Sequence, residues 1–169
     1  MRREDKYPDT SVFHYYNANP RNRMTGDCAI RAISVATGIS YNDTVMGLAK
    51  VHCDTGYEPT MGKGLDIYME SIGWVKHNQP RRYDNTKFTG KDFCNWLSVS
   101  YDRFYGNVLA NIGGHHMVAI VPYCKGDGIN DRFKIFDIWD SSDYCIGNYW
   151  TKPDAYEHKW RGYENIMEE

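Results

Sequence analysis

The sequence predicts a single α+β domain in which a helical first half packs against an antiparallel sheet formed by the second half. Apolar residues recur at helical spacing between residues 27 and 101, whereas from residue 105 onward they fall in short runs separated by polar turns. Helices followed by strands, rather than alternating with them, are typical of the α+β class. The 169 residues suffice for one domain, and no repeat or linker divides them.

The first half of the chain divides into an arm and a set of helices. Residues 1–26 are polar and rich in turn signals, so we expect an extended arm that runs over the surface. The first helix is predicted over 27–36, and Gly38 ends it. The helical half, residues 27–101, is expected to contain helices that start near Asp27, Ser40, Gly62 and Thr89, and a short strand over 74–77.

The second half of the chain is expected to form the antiparallel sheet, over residues 105–150, followed by a C-terminal tail, 151–169. Glycine pairs and clusters of aspartate, serine and lysine separate the apolar runs, as hairpin turns and loops require. The predicted strands are 107–112, 115–123, 132–138 and 146–150.

The composition argues against several classes of protein. Twenty basic and 22 acidic residues give a net charge of -2, so nucleic acid is not an expected partner. The five cysteines are odd in number and form no C-x-x-C pair, which argues against a disulfide framework and a structural zinc site. We expect no metal and no cofactor. The longest apolar run, 117–121, is too short to cross a bilayer, so the expected location is the cytoplasm.

Cys28 is the strongest candidate for chemistry. It follows Gly26 and Asp27 and stands in the first turn of the predicted helix 27–36. The free N–H groups and the positive end of the dipole at a helix start favour a thiolate over a thiol. A cysteine on an amphipathic helix is more often a small buried hydrophobe, and the other cysteines are interpreted that way: Cys53, Cys94, Cys124 and Cys145.

A histidine in the second predicted strand is the candidate base for this thiol. Strand alternation puts His116 on the face of Val118 and Ile120 and puts His115 on the opposite face. We therefore expect His116, and not His115, to lie on the substrate side. An imidazole near a thiol can take its proton and later return it to a leaving group.

An aspartate in the third predicted strand is the candidate partner of that histidine. A connection over 123–131 would place Val121 opposite Phe133 or Arg132, and this register brings His116 close to Asp137. A carboxylate there would fix the tautomer and orientation of the imidazole. Asp140 is the alternative acid, because a strand end is predicted only to within about two residues.

These residues together resemble the papain-like superfamily of thiol hydrolases, in which cysteine, histidine and aspartate follow in this chain order. The resemblance covers the Gly26-Asp27-Cys28 turn and its helix, the strand 116–120 and the strand end 136–140. The aspartate directly before the cysteine is similar to that of the bacteriocin-leader peptidases. The chain also resembles a group of short proteins from bacteriophages and Gram-positive bacteria, over 19–32, 73–81, 137–140 and 147–150.

The resemblance implies a role for each residue: Cys28 as nucleophile, His116 as general base and acid, and Asp137 as the orienting group. In papain-like enzymes a glutamine six residues before the cysteine donates to the oxyanion, and that position holds the shorter amide of Asn22. Asn19 or Asn17 would be the substitute. Loss of one such donor typically costs about 100-fold to 1000-fold in rate.

The expected function is that of a cysteine hydrolase, a peptidase or isopeptidase, that acts on a protein or peptide through a thioester acyl-enzyme. One alternative is a catalytically inactive protein of the same fold that binds a partner or is associated with a virion. A second is a thiol acyltransferase or amidase, because the triad alone does not decide which acceptor resolves the acyl-enzyme. If the gene belongs to a phage, the expected location is the host cytoplasm, with the virion as the alternative.

Overall fold

The computed structural model describes residues 1–99, 106–123 and 132–153. This part of the chain has the predicted α+β class, with helices packed on both faces of one sheet. Its helices are α1 (Arg3–Lys6), α2 (Cys28–Thr37), α3 (Tyr41–Thr55), α4 (Gly62–Ser71) and α5 (Gly90–Val99). Its strands are β1 (Phe13–Tyr15), β2 (Val75–His77), β3 (Val108–Ile112), β4 (His116–Tyr123), β5 (Arg132–Asp137) and β6 (Ile146–Thr151).

The sheet is mixed, and the prediction of a purely antiparallel sheet was wrong at one edge. The strands lie in the order β1-β5-β4-β3-β6-β2. Four neighbouring pairs are antiparallel, but β6 pairs with β3 and β2, and not with β5 as successive hairpins would place it. The exception is β1, which runs parallel to β5.

This parallel strand also corrects the prediction of a surface arm over residues 1–26. Phe13 is paired with Ile135, and both side chains are fully buried. A run of three strand residues is too short to show the alternation that marks a strand in a sequence. In the fold, β1 covers the edge of β5, which would otherwise expose unpaired backbone groups.

Two apolar clusters lie on the two faces of the sheet. On one face α5 packs against β-strand residues that include Val118 and Ile120. On the other face α2, α3 and α4 contribute a second cluster that includes Met117 and Ala119. Successive residues of β4 thus enter opposite clusters, as strand alternation predicts.

Several helix ends are where capping signals predict them. Ser40 caps α3, because its hydroxyl oxygen accepts a hydrogen bond from the Asp43 N–H at 3.1 Å. Gly38 ends α2 in a left-handed conformation with a φ of 75°. Thr89 and Asp92 bond reciprocally before α5, with the Thr89 hydroxyl donating to the Asp92 carboxylate at 2.7 Å. These are the expected capping interactions.

The register of β4 and β5 differs from the prediction. Val121 lies opposite Lys134, rather than opposite Phe133 or Arg132. The turn length that sets the register falls in residues 124–131, which lie outside the described part, as do 100–105 and the tail from 154. Within the described ranges, no helix is long and apolar enough to cross a membrane.

We predict that the N-terminal segment contributes to the stability of the domain. Phe13→Ala should lower the free energy of unfolding by about 3–5 kcal/mol, because it opens a cavity in the first apolar cluster. Tyr83→Ala, at a fully exposed side chain, is the control and should change it by less than about 0.5 kcal/mol. Urea unfolding measures both, and equal values for the two variants would contradict the position of β1.

Candidate active site

The ends of three secondary-structure elements meet at one place in the fold. Cys28 is the first residue of α2, His116 is the first residue of β4, and Asp137 is the last residue of β5. Antiparallel pairing of β4 and β5 brings the start of one strand to the end of the other. The packing of α2 over β4 then brings the helix start to the same end of the sheet.

The three predicted residues form a connected chain of contacts. His116 Nε2 lies 2.5 Å from Asp137 Oδ2, and the His116 imidazole also lies close enough to the Cys28 thiol for each to shift the pKa of the other. Because Nε2 faces the carboxylate, Nδ1 is the ring nitrogen left for the thiol. The ring of Trp139 lies 4.9 Å from that of His116 and limits its movement. The register error did not matter, since His116 reaches Asp137 diagonally.

The surroundings of Cys28 favour its thiolate. Burial alone raises the pKa of the Cys28 thiol. The hydrogen bonds from His116 and from the Met117 N–H, together with the positive charges of His116 and Arg31, outweigh burial and hold the pKa below its ordinary value. The position at the start of α2 acts in the same direction.

The surroundings of His116 favour its protonated form. Burial alone lowers the pKa of His116, but the hydrogen bonds with Asp137 and Cys28 and the charges of both partners raise it to about 9. A lowered thiol pKa beside a raised imidazole pKa favours the thiolate–imidazolium pair over the neutral thiol–imidazole pair.

A buried ionic cluster lies directly behind these residues. The Arg31 guanidinium donates through Nη1 to Asp27 and through Nη2 to Asp137 Oδ1, the latter at 3.3 Å. The Asp27 carboxylate also accepts from the Asn19 amide at 2.9 Å and from the Tyr41 hydroxyl at 2.8 Å. All three charged side chains are buried.

Sequence reasoning missed Arg31 and Tyr41 as parts of this cluster. A signal for Arg31 was present, because it lies four residues after Asp27 and beside Ala32 and Ile33 on the buried side of α2. Tyr41 gave no such signal, since its contact with Asp27 depends on how α3 packs against α2.

The two predicted oxyanion donors, Asn19 and Asn22, form hydrogen bonds with side chains other than those of Cys28, His116 and Asp137. The Asn19 amide nitrogen donates to Asp27 and, at 3.2 Å, to the Tyr41 hydroxyl oxygen, so it is engaged in the buried cluster. Asn22 is exposed and its side-chain oxygen accepts a hydrogen bond from Asn17. The role of Asn22 therefore stays a prediction.

The structure distinguishes Asp137 from the alternative acid, Asp140, and His116 from His115. Asp140 Oδ1 accepts the Ser142 N–H at 2.9 Å in a turn, and Asp137 is the carboxylate that reaches His116. His115 lines a cleft of about 670 Å³ that also contains Cys28. This cleft lies on the face that alternation assigns to His115 and Met117, and not on the face of Val118 and Ile120 that was expected to meet the substrate.

The remaining cysteines fit the structural interpretation only in part. Cys94 is fully buried, and burial raises the pKa of its thiol far above the ordinary range. Cys53 and Cys145 are exposed free thiols, which corrects their assignment as buried hydrophobes. Cys124 lies outside the described residues.

Comparison of the chain with protein-family models, with curated proteins and with solved structures finds no match.

We predict that iodoacetamide labels Cys28 selectively at about pH 6, where a thiol of ordinary pKa is almost fully protonated. Cys53 and Cys145 are the internal controls, because they are exposed free thiols outside the Cys28–His116–Asp137 contacts. His116→Ala should abolish the selectivity, since it removes the hydrogen bond and the charge that favour the thiolate. Mass spectrometry of digested protein measures each site, and equal labelling at the three sites would contradict the assignment.

We predict that Asp137, and not Asp140, sets the protonation of His116. Asp137→Asn should lower the pKa of His116 from about 9 toward the ordinary histidine value, because it removes the negative charge and leaves only a neutral amide oxygen as acceptor. Asp140→Asn is the matched control and should leave it unchanged. A titration of the imidazole followed by NMR measures the pKa, and a shift in the control alone would assign the acid to Asp140.

Proposed function

We propose that this chain is a papain-like cysteine hydrolase that cleaves amide bonds in a protein or peptide substrate, as a peptidase or an isopeptidase. The observation that carries the proposal is the connected chain from the Cys28 thiol through His116 to the Asp137 carboxylate. A nucleophile, a base within hydrogen-bond reach and a third group that orients the base are the parts that nucleophilic catalysis requires.

In the proposed first step, the Cys28 thiolate attacks the carbonyl carbon of the substrate, and the C=O π electrons move to the oxygen. The N–H groups at the start of α2 supply donors for this oxyanion, because the first N–H groups of a helix have no partner within it. The C–N bond then breaks, and the His116 imidazolium donates its proton to the leaving amine. The acyl group remains on Cys28 as a thioester.

In the second step, a water molecule attacks the thioester carbonyl while neutral His116 takes one of its protons. The C–S bond breaks, the carboxylic acid product leaves, and the thiolate–imidazolium pair is restored. Asp137 remains hydrogen-bonded to His116 throughout and stabilises the imidazolium.

The cleft beside Cys28 supports a peptide-like substrate. It has a volume of about 670 Å³, and its walls combine apolar side chains such as Trp150 with the amides of Asn111 and Asn148. Apolar walls with a few polar groups are typical of sites that bind an organic ligand in a fixed orientation. An unpaired nucleophilic thiol also suits a reducing compartment such as the cytoplasm.

We predict that the purified chain hydrolyses some members of a mixed peptide and isopeptide library. His116→Ala should reduce the rate about 100-fold to 10,000-fold, because the proton donor for the leaving amine is lost. Cys28→Ala should abolish cleavage, whereas Cys53→Ala, at an exposed thiol, should leave it unchanged. Liquid chromatography with mass spectrometry measures the products.

The cleavage assay, combined with Cys28 labelling and partner capture, distinguishes the alternative functions. Selective labelling of Cys28 without any cleavage, together with capture of an intact partner by the cleft, would favour a binding protein. A thioester that persists until an amine is added would favour an acyltransferase.

A further inference from the structure

We propose that Arg31 is a positioning residue that orients the Asp137 carboxylate toward His116, and that Asp27 holds Arg31 in place. The inference rests on the proposed function, because it concerns how the same thiol–imidazole pair is aligned. Neither Arg31 nor Asp27 has to touch a substrate for this role.

Arg31 fixes one side of the Asp137 carboxylate. Its Nη2 lies 3.3 Å from Asp137 Oδ1, while Asp137 Oδ2 lies 2.5 Å from His116 Nε2. Both oxygens therefore have a partner, and the two partners lie on different elements, α2 and β4. With both oxygens held, the carboxylate cannot rotate without breaking a buried charge-assisted hydrogen bond.

Asp27 fixes the position of Arg31. Its Oδ1 accepts from Arg31 Nη1, and its Oδ2 accepts from the Asn19 amide and the Tyr41 hydroxyl. Burial, followed by the hydrogen bond to Asp27, raises the pKa of Tyr41 to about 12, so the hydroxyl remains a donor at neutral pH. Asp27 is thus held by two side chains, Asn19 and Tyr41, in addition to its bond with Arg31.

Stability alone is a poor explanation of this cluster. Arg31 is 5% exposed and Asp137 is 4% exposed, so their charges have lost most of their hydration. Buried ion pairs of this kind are often no more stabilising than apolar side chains of similar volume. In addition, Arg31 Nε is buried without a hydrogen-bond partner among the described residues. A role in orienting the Asp137 carboxylate explains why Arg31 is buried here, whereas a contribution to stability alone does not.

Loss of Arg31 should affect the thiol in two ways. It would leave Asp27 and Asp137 as buried carboxylates with no cation between them, and Asp137 would lose one of its two anchors. It would also remove a positive charge that favours the thiolate. Other titratable or charged side chains near this cluster include Arg3 of α1, Tyr15 of β1, Tyr41 of α3, His115 before β4 and Asp140 after β5.

The test is the pH profile of Cys28 alkylation in full-length protein. In Arg31→Met the midpoint of the profile should rise by about one pH unit, which is about tenfold slower labelling below the midpoint. Arg31→Lys should show part of this rise, because a single ammonium keeps the charge but cannot reach both carboxylates as a guanidinium does. The double variant Asp27→Asn with Arg31→Met removes the unbalanced charge, and it should keep the raised midpoint because Asp137 still lacks its anchor.

Two results would overturn the inference. An unchanged midpoint in folded Arg31→Met, or a midpoint fully restored in the double variant, would assign Arg31 a structural or purely electrostatic role. Circular dichroism reports folding, and if Arg31→Met does not fold, Arg31→Lys and the double variant decide by the same criteria. Wild-type protein without selective Cys28 labelling would overturn the proposed function and this inference together, whereas selective wild-type labelling with unchanged variants would overturn the inference alone.

Discussion

The site depends on the close packing of α2 against the sheet. The face of α2 that meets the sheet carries small side chains at Ala29, Ala32 and Ala36, with Ile33 among them. Small residues allow a helix to approach a sheet closely, and Met117 and Ala119 of β4 lie in the same cluster. This packing fixes the depth and direction of the helix. It therefore also fixes where the first residue of the helix, Cys28, meets the sheet.

Placing the candidate site where elements end has a chemical consequence. The interior of a sheet has no free N–H groups, whereas the start of a helix has several. A thiol at the first position of α2 can thus share its surroundings with backbone donors. The strand ends supply the imidazole and the carboxylate from backbone that is anchored by the ladder of β4 and β5. Side chains held on regular elements are positioned more accurately than side chains on loops.

Much of this arrangement could be predicted from sequence, and the failures have physical reasons. Cys28, His116 and Asp137 were predictable because helix starts, strand alternation and hairpin pairing are local patterns. The strand β1 was not, since a three-residue strand depends on the edge of β5 for its existence. The side of His115 was mispredicted because alternation groups it with Met117 but does not show which face of the sheet lines the cleft. The contact of Tyr41 with Asp27 arises only when α2 and α3 pack.

The most demanding electrostatic problem at the site is the aspartate directly before the thiol. A free carboxylate at Asp27 would oppose a thiolate at Cys28, because like charges at close range raise each other's pKa. Burial by itself would raise the pKa of Asp27, but hydrogen bonds from Asn19 and Tyr41 and the charge of Arg31 outweigh it and hold the pKa below the ordinary value. The Asp27 carboxylate is therefore ionised, and it accepts hydrogen bonds from three donors. Two of these donors, Asn19 and Tyr41, are neutral, and the third, Arg31, uses only one of its terminal nitrogens for Asp27. Its second terminal nitrogen donates to Asp137. In this way one buried cation serves both carboxylates, and the thiolate is stabilised although an anion precedes it in the chain.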